Sequence, residues 1–165
     1  MNINFLSFLL VLLPVALSPG ASFTLAINSA MAGGRSGLLR TLIGTALGIY
    51  THALLIGSGI TALLVASPTL FNVLKIAGTL YLLWLGVQLI RSGLTAQETS
   101  PDGGRATVSI KDAWFANVLN PKAIVFYLTV VSQFAGPHGD ISHYLVLASI
   151  HIIIMCLWLI MVSSA

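Results

Sequence analysis

Long apolar stretches separated by short polar ones dominate this chain. They predict membrane-crossing helices over 3–27, 38–66, 69–90, 112–134 and 141–162. Each holds the ~20 residues needed to cross a hydrocarbon layer. Between them lie a small-residue connector at 28–37, a turn at Ser67-Pro68, a polar segment at 91–111 around Pro101-Asp102-Gly103-Gly104, and a turn at 136–140. Two of the apolar runs are interrupted, the first at Pro14 and Pro19-Gly20 and the fourth at Asn120-Pro121. Proline lacks an amide hydrogen and its ring clashes with the preceding turn, so a helix meeting it kinks or breaks. In a bilayer a break survives only where the freed backbone groups are buried in protein or line a wet cavity.

The two interruptions suggest an internal repeat. The spacing from Pro19 to Pro121 nearly equals that from His52 to His151. Three spans per half is an odd number, so the second half enters from the opposite side, as in the inverted repeats of secondary transporters. The expected fold is all-α, with five transmembrane helices and helices one and four broken. Residues 1–92 form a first three-helix repeat, 93–111 a cytoplasmic linker, and 112–165 an incomplete second repeat of two helices.

Composition agrees. The chain is 57% hydrophobic and 7% charged, against ~25% charged in an ordinary soluble domain. Its mean hydropathy is +0.99. The net charge of +3 comes from few, scattered basic residues, so no nucleic-acid partner is expected. Those residues orient the chain instead. Arg35 and Arg40 lie in or beside the first connector, and Arg91, Arg105 and Lys111 flank or lie in the third, while the second and fourth carry none. The first and third connectors are therefore expected on the cytoplasmic side and the N-terminus outside. The apolar start continues past its small-residue triplet Ala16-Leu17-Ser18 and opens without Lys or Arg, so it reads as a retained helix rather than a cleaved signal. The single Cys156 lies in an apolar run and reads as a packing residue.

The breaks carry the candidate chemistry. Beyond Pro19-Gly20 a new half-helix starts, whose first amides lack intrahelical partners and carry the positive end of the helix dipole. That end suits a carboxylate. Ser18, Ser22 and Thr24 can add hydroxyl contacts. A plain kink that only shapes packing is the alternative, weakened by the second break. Asn117, Asn120, Pro121 and Lys122 form the second cluster. Lys122 either faces a cavity as a charge for the substrate or lies near the cytoplasmic headgroups. Lys75 is expected to snorkel to the outer interface. Gly44, Gly48 and His52 share one helix face. His52 and His151 are either packing residues or proton carriers. Tyr81, Trp84 and Tyr127 read as packing or interface anchors.

The acids Glu98, Asp102, Asp112 and Asp140 all lie in connectors or at span ends. No intramembrane acid pair, phosphate-binding Gly-rich loop or metal-ligand motif occurs in the sequence. No enzyme activity, cofactor or metal is expected.

Several motifs in order resemble one family. They are Ser18-Pro19-Gly20, Gly34-Arg35-Ser36-Gly37-Leu38, the Gly44, Gly48, His52 face, Ser67-Pro68 and Leu74-Lys75 followed by Gly78, Tyr81-Leu82 and Leu85-Gly86. Asn120-Pro121-Lys122-Ala123 and Gln133-Phe134 complete the set. Over nearly its whole length the chain resembles the lysine exporter family (LysE/RhtB type). The resemblance implies six helices, a bacterial inner-membrane location and efflux of amino acids or close derivatives, driven by the proton-motive force. Substrate binding falls by that resemblance on the two breaks. Two departures stand out: Ala21 occupies a position where the family usually has proline, and the sixth helix is not present. The expectation is an amino-acid exporter with an amino acid and the bilayer as partners and a homodimer as an allowed assembly. The rivals are a truncated, non-transporting membrane fragment or structural partner and, more remotely, a channel.

Overall fold

The computed structural model describes residues 4–60, 66, 67, 69, 72, 73, 76, 108–135 and 140–164. Most of the third span, with Lys75, Tyr81 and Trp84, lies outside the described residues, as do positions 91–107 of the polar segment and 136–139 of the last turn. The described elements are helical throughout.

Helix α1 (Phe5–Leu17) is capped by Asn4, whose Oδ1 accepts from the Ser7 amide at 3.1 Å. It runs through Pro14 without stopping, contrary to the interruption expected there. One missing backbone bond is tolerated in a membrane helix when its neighbours hold the path. The break comes at the second proline. Ser18 and Gly20 are extended, and α2 (Ala21–Leu55) begins at Ala21.

Helix α2 is two limbs joined at a kink. Gly34 has φ 57° and ψ −143°, a region that costs an L side chain about 1–3 kcal/mol. Thr41 Oγ1 donates to Ser29 Oγ at 2.9 Å. Residues twelve apart in a straight helix would be separated by about 18 Å, so the chain reverses at Gly34. Any Cβ on Gly37 would collide with the Ser29 carbonyl. The connector expected over 28–37 is thus helical except at one glycine. The second limb ends in a π-helical turn, Ile56–Ile60, where Gly59 has φ 103°.

The expected fourth span starts two residues early. Ser109 and Asp112 form a reciprocal cap on α3 (Ile110–Val118). The chain then bends by 52° at Leu119-Asn120. It continues as α4 (Pro121–Phe126), a π-helical turn (Tyr127–Val131) and α5 (Ser132–Ala135). Helix α6 (Ile141–Ser164) closes the described chain.

By length and apolarity, Ile141–Ser163 can cross a membrane, the reversed stretch Ala21–Gly59 holds a segment able to do so, and the bent α3–α5 pair makes a third candidate. Leu6, Leu10, Leu119 and Leu157 are more than 60% exposed, the surface expected of a chain solvated by lipid.

Lipid is as apolar as a leucine side chain, so close contact and hydrogen bonds, not burial, hold such helices together. Gly44 and Gly48 let α3 press onto the second limb of α2. A Cβ on Gly48 would lie 2.6 Å from Asn117 Oδ1, and one on Gly44 would strike the Ile110 carbonyl. Trp114 Nε1 donates to Thr51 Oγ1 at 3.0 Å across the same seam, and the Tyr50 and Ser149 hydroxyls pair at 2.9 Å between α2 and α6. Phe8, Leu12, Ile49, Tyr127, Val131 and Leu147 fill the centre.

Candidate functional site

Both helix breaks come to one place. Lys122, the second residue of α4, reaches back to the first break. Its Nζ donates to the Ser18 carbonyl at 3.4 Å and to Ser18 Oγ. Asn117, at the end of α3, donates from Nδ2 to Ser22 Oγ at 3.4 Å. A cavity of about 60 Å³ lies between them. On a scale where a water needs ~10–15 Å³, it holds a few water molecules. Ser18, Gly20, Ser22, Asn117, Asn120 and Lys122 all line it, and so does His151 from α6.

The two breaks differ in what they offer. Gly20 gives α2 no side-chain cap, and the first backbone bond is from the Thr24 amide to the Gly20 carbonyl at 3.0 Å. The amides of Ala21, Ser22 and Phe23 are thus without intrahelical partners and carry the positive end of the dipole. At the second break Pro121 has no amide hydrogen, and the Lys122 amide is already held by Asn120 Oδ1 at 3.0 Å. The first break therefore presents amides, and the second presents an ammonium group.

Lys122 is half-buried and sits where α1 ends. The carbonyls at a helix C-terminus carry partial negative charge, which offsets the cost of holding an ammonium away from bulk water. Asn117 is 4% exposed, and its Oδ1 has no hydrogen-bond partner among the described residues. A buried acceptor left open costs about 1–3 kcal/mol, and a ligand donor would satisfy it.

Three rings stand in a buried column beside the cavity. Tyr127 stacks between His52, at 5.8 Å, and His151, at 5.9 Å. The Tyr127 hydroxyl meets His151 Nδ1 at 3.3 Å, and His52 Nε2 meets the Asn117 carbonyl at 3.2 Å. His151 is on the cavity wall, while His52 lies behind Asn117.

The sequence reading missed part of this. Pro19 and Thr24 are exposed and outside the cavity wall; Pro19 makes the break but does not touch the space it opens. Tyr127 packs in the core, one of the two roles expected of it, and also links two histidines. Its position at the head of the π-helical turn carries no sequence signal. Phe23, Ile49, Phe126, Met155 and Leu159 complete the wall, and in an apolar run nothing marks which residues face inward. Asp112 and Asp140 are not among the lining residues, and Glu98 and Asp102 lie outside the described residues.

Apolar helices interrupted around a shared polar cavity define a multi-pass membrane protein with an internal site. The chain belongs to the LysE type translocator family, whose model matches residues 13–165. It is 35% identical over 137 residues to an uncharacterized membrane protein of Vibrio cholerae serotype O1, covering 82% of this chain and 66% of that one. It is 31% identical over 153 residues to the homoserine/homoserine lactone efflux protein of Salmonella typhimurium, covering 90% of this chain and 73% of that protein. The protein of the same name from Salmonella typhi matches to the same extent. The chain thus spans about two thirds to three quarters of the length of these relatives. No solved structure matches it.

Proposed function

We propose that this chain acts as a secondary-active exporter of amino acids or close derivatives across the bacterial cytoplasmic membrane. The observation that carries the reading is the bridge from Lys122 to Ser18, which joins the two helix breaks over one cavity. Family membership and the efflux proteins among the relatives support it.

A zwitterion suits the charge layout. Its carboxylate meets the Ala21 and Ser22 amides and the Lys122 ammonium. Its ammonium meets the Ser18 carbonyl, at the negative end of α1, and Asn117 Oδ1. A substrate carboxylate competes with Ser18 for Lys122, so binding loosens the bridge between the breaks. In an inverted-repeat architecture of 1–92 and 112–165, one half rocks against the other to move the site between sides. The arginines near Gly34 then lie in the cytoplasm and the N-terminus outside. The proton-motive force drives export, with His151 on the cavity wall and His52 behind Asn117 as the groups that carry protons. A homodimer is compatible with the large apolar outer surface.

Efflux of a preloaded radiolabelled amino acid from cells expressing the chain tests this. Pro19→Leu, which rejoins α1 to α2, and Asn120→Ala, which uncaps α4, are expected to slow efflux at least about tenfold. Efflux at the wild-type rate in both removes the site assignment.

A further inference from the structure

The charge of the cavity is one-sided. Lys122 is the one formally charged side chain among the described residues that line it. The uncapped start of α2 adds roughly half a positive charge. The acceptors beside these cationic groups, the Ser18 carbonyl and Asn117 Oδ1, are neutral oxygens. Asp112 is exposed and engaged with Ser109, and Asp140 is exposed before α6. The remaining wall includes Phe23, Ile49, Phe126, Met155 and Leu159. Lys122 is half-buried there, so its charge is screened less than in bulk water.

A zwitterion balances this field: one carboxylate for the cationic side, one ammonium for the neutral oxygens. A second ammonium on the substrate meets no carboxylate among the described lining residues and adds repulsion from Lys122. We infer that the cavity admits amino acids with uncharged side chains and rejects those with a cationic side chain, with Lys122 as the discriminating residue. Specificity of this kind comes from a repulsive element as much as from attraction. The inference rests on the exporter reading and narrows its substrate class.

L-homoserine and L-2,4-diaminobutyrate are near-isosteric and differ in a hydroxyl against an ammonium, so the pair isolates charge. Binding of each to the purified full chain in nanodiscs is measured by competition against radiolabelled L-homoserine. The expected result is binding of the diaminobutyrate weaker by about a hundredfold, the scale of an unrelieved like-charge contact. In Lys122→Glu the ratio inverts, and in Lys122→Gln it narrows toward unity while the protein elutes as the wild type does. Equal binding of both amino acids by the wild type overturns the inference and leaves the exporter reading standing. Binding of neither by a folded wild type overturns this inference, while the efflux assay above decides the exporter reading separately. The wild-type ratio decides the matter even if the Lys122→Glu variant does not fold.

Discussion

Single residues at the first break set its chemistry by what they leave undone. Gly20 starts α2 from an extended conformation, with φ −153°, that any residue can adopt. A Cβ there would meet Lys122 Nζ at 3.8 Å, an ordinary contact. The glycine is therefore not required by space; its effect is to leave the α2 amides uncapped. Gly20→Asn would supply the missing acceptor. The expected outcome is a melting temperature in detergent equal to or above wild type together with a large fall in efflux, because the new side chain occupies the amides that the substrate carboxylate needs. Gly48 is the opposite case. A Cβ there would lie 2.6 Å from Asn117 Oδ1 and 2.7 Å from its Cβ. Gly48→Ala is expected to destabilise the chain by about 1–3 kcal/mol, read as a lower melting temperature. The sequence placed Gly44, Gly48 and His52 on one face correctly. It could not say that the face is pressed against Asn117, because the partner is brought there by the fold.

At the scale of elements, turns and breaks decide the path of the chain. Gly34 holds the reversal of α2 with φ 57° and ψ −143°. Gly34→Val is expected to cost about 1–3 kcal/mol, and to increase proteolysis near the hairpin in thermal challenge. Asn120 caps α4 through the Lys122 amide at 3.0 Å. Asn120→Ala is expected to cost about 1 kcal/mol and to let α4 fray at the residue that carries the ammonium. Calorimetry compared with efflux separates the two effects: a small loss of stability with a large loss of efflux is the signature of a misplaced Lys122. Both breaks were legible in the sequence because proline leaves a local mark. Pro14 shows the limit of that signal, since the same residue type passes through α1 unbroken. The difference lies in what surrounds each proline: Pro14 is followed by helix-compatible apolar residues, whereas Pro19 is flanked by Ser18 and Gly20.

For the whole molecule, the bridge between breaks ties together segments far apart in sequence. Lys122 and Ser18 are 104 positions apart, and Tyr50 and Ser149 are 99 apart. Orientation is open to direct measurement. With Cys156 replaced by serine, single cysteines at Ser36 and Ser142, both exposed, are treated with a membrane-impermeant thiol reagent on intact cells. Labelling is expected at position 142 without permeabilisation and at position 36 only after it. The reverse pattern would put the arginine-bearing hairpin outside and invert the proposed direction of entry.

Hydropathy alone was enough to make this an all-helical membrane chain. The need for ~20 apolar residues per crossing leaves few other uses for such runs. Proline and glycine marked both interruptions because their backbone constraints are local. Whether those interruptions meet was beyond the sequence: α3 bends by 52° before α4, and that angle together with the reversal at Gly34 carries Lys122 to Ser18. The inward face of each apolar helix, the stack of Tyr127 between two histidines, and the unsatisfied Asn117 oxygen were likewise decided by packing. In lipid an apolar residue gains nothing by facing in rather than out, so only three-dimensional contact distinguishes the wall of a cavity from the surface of a bundle.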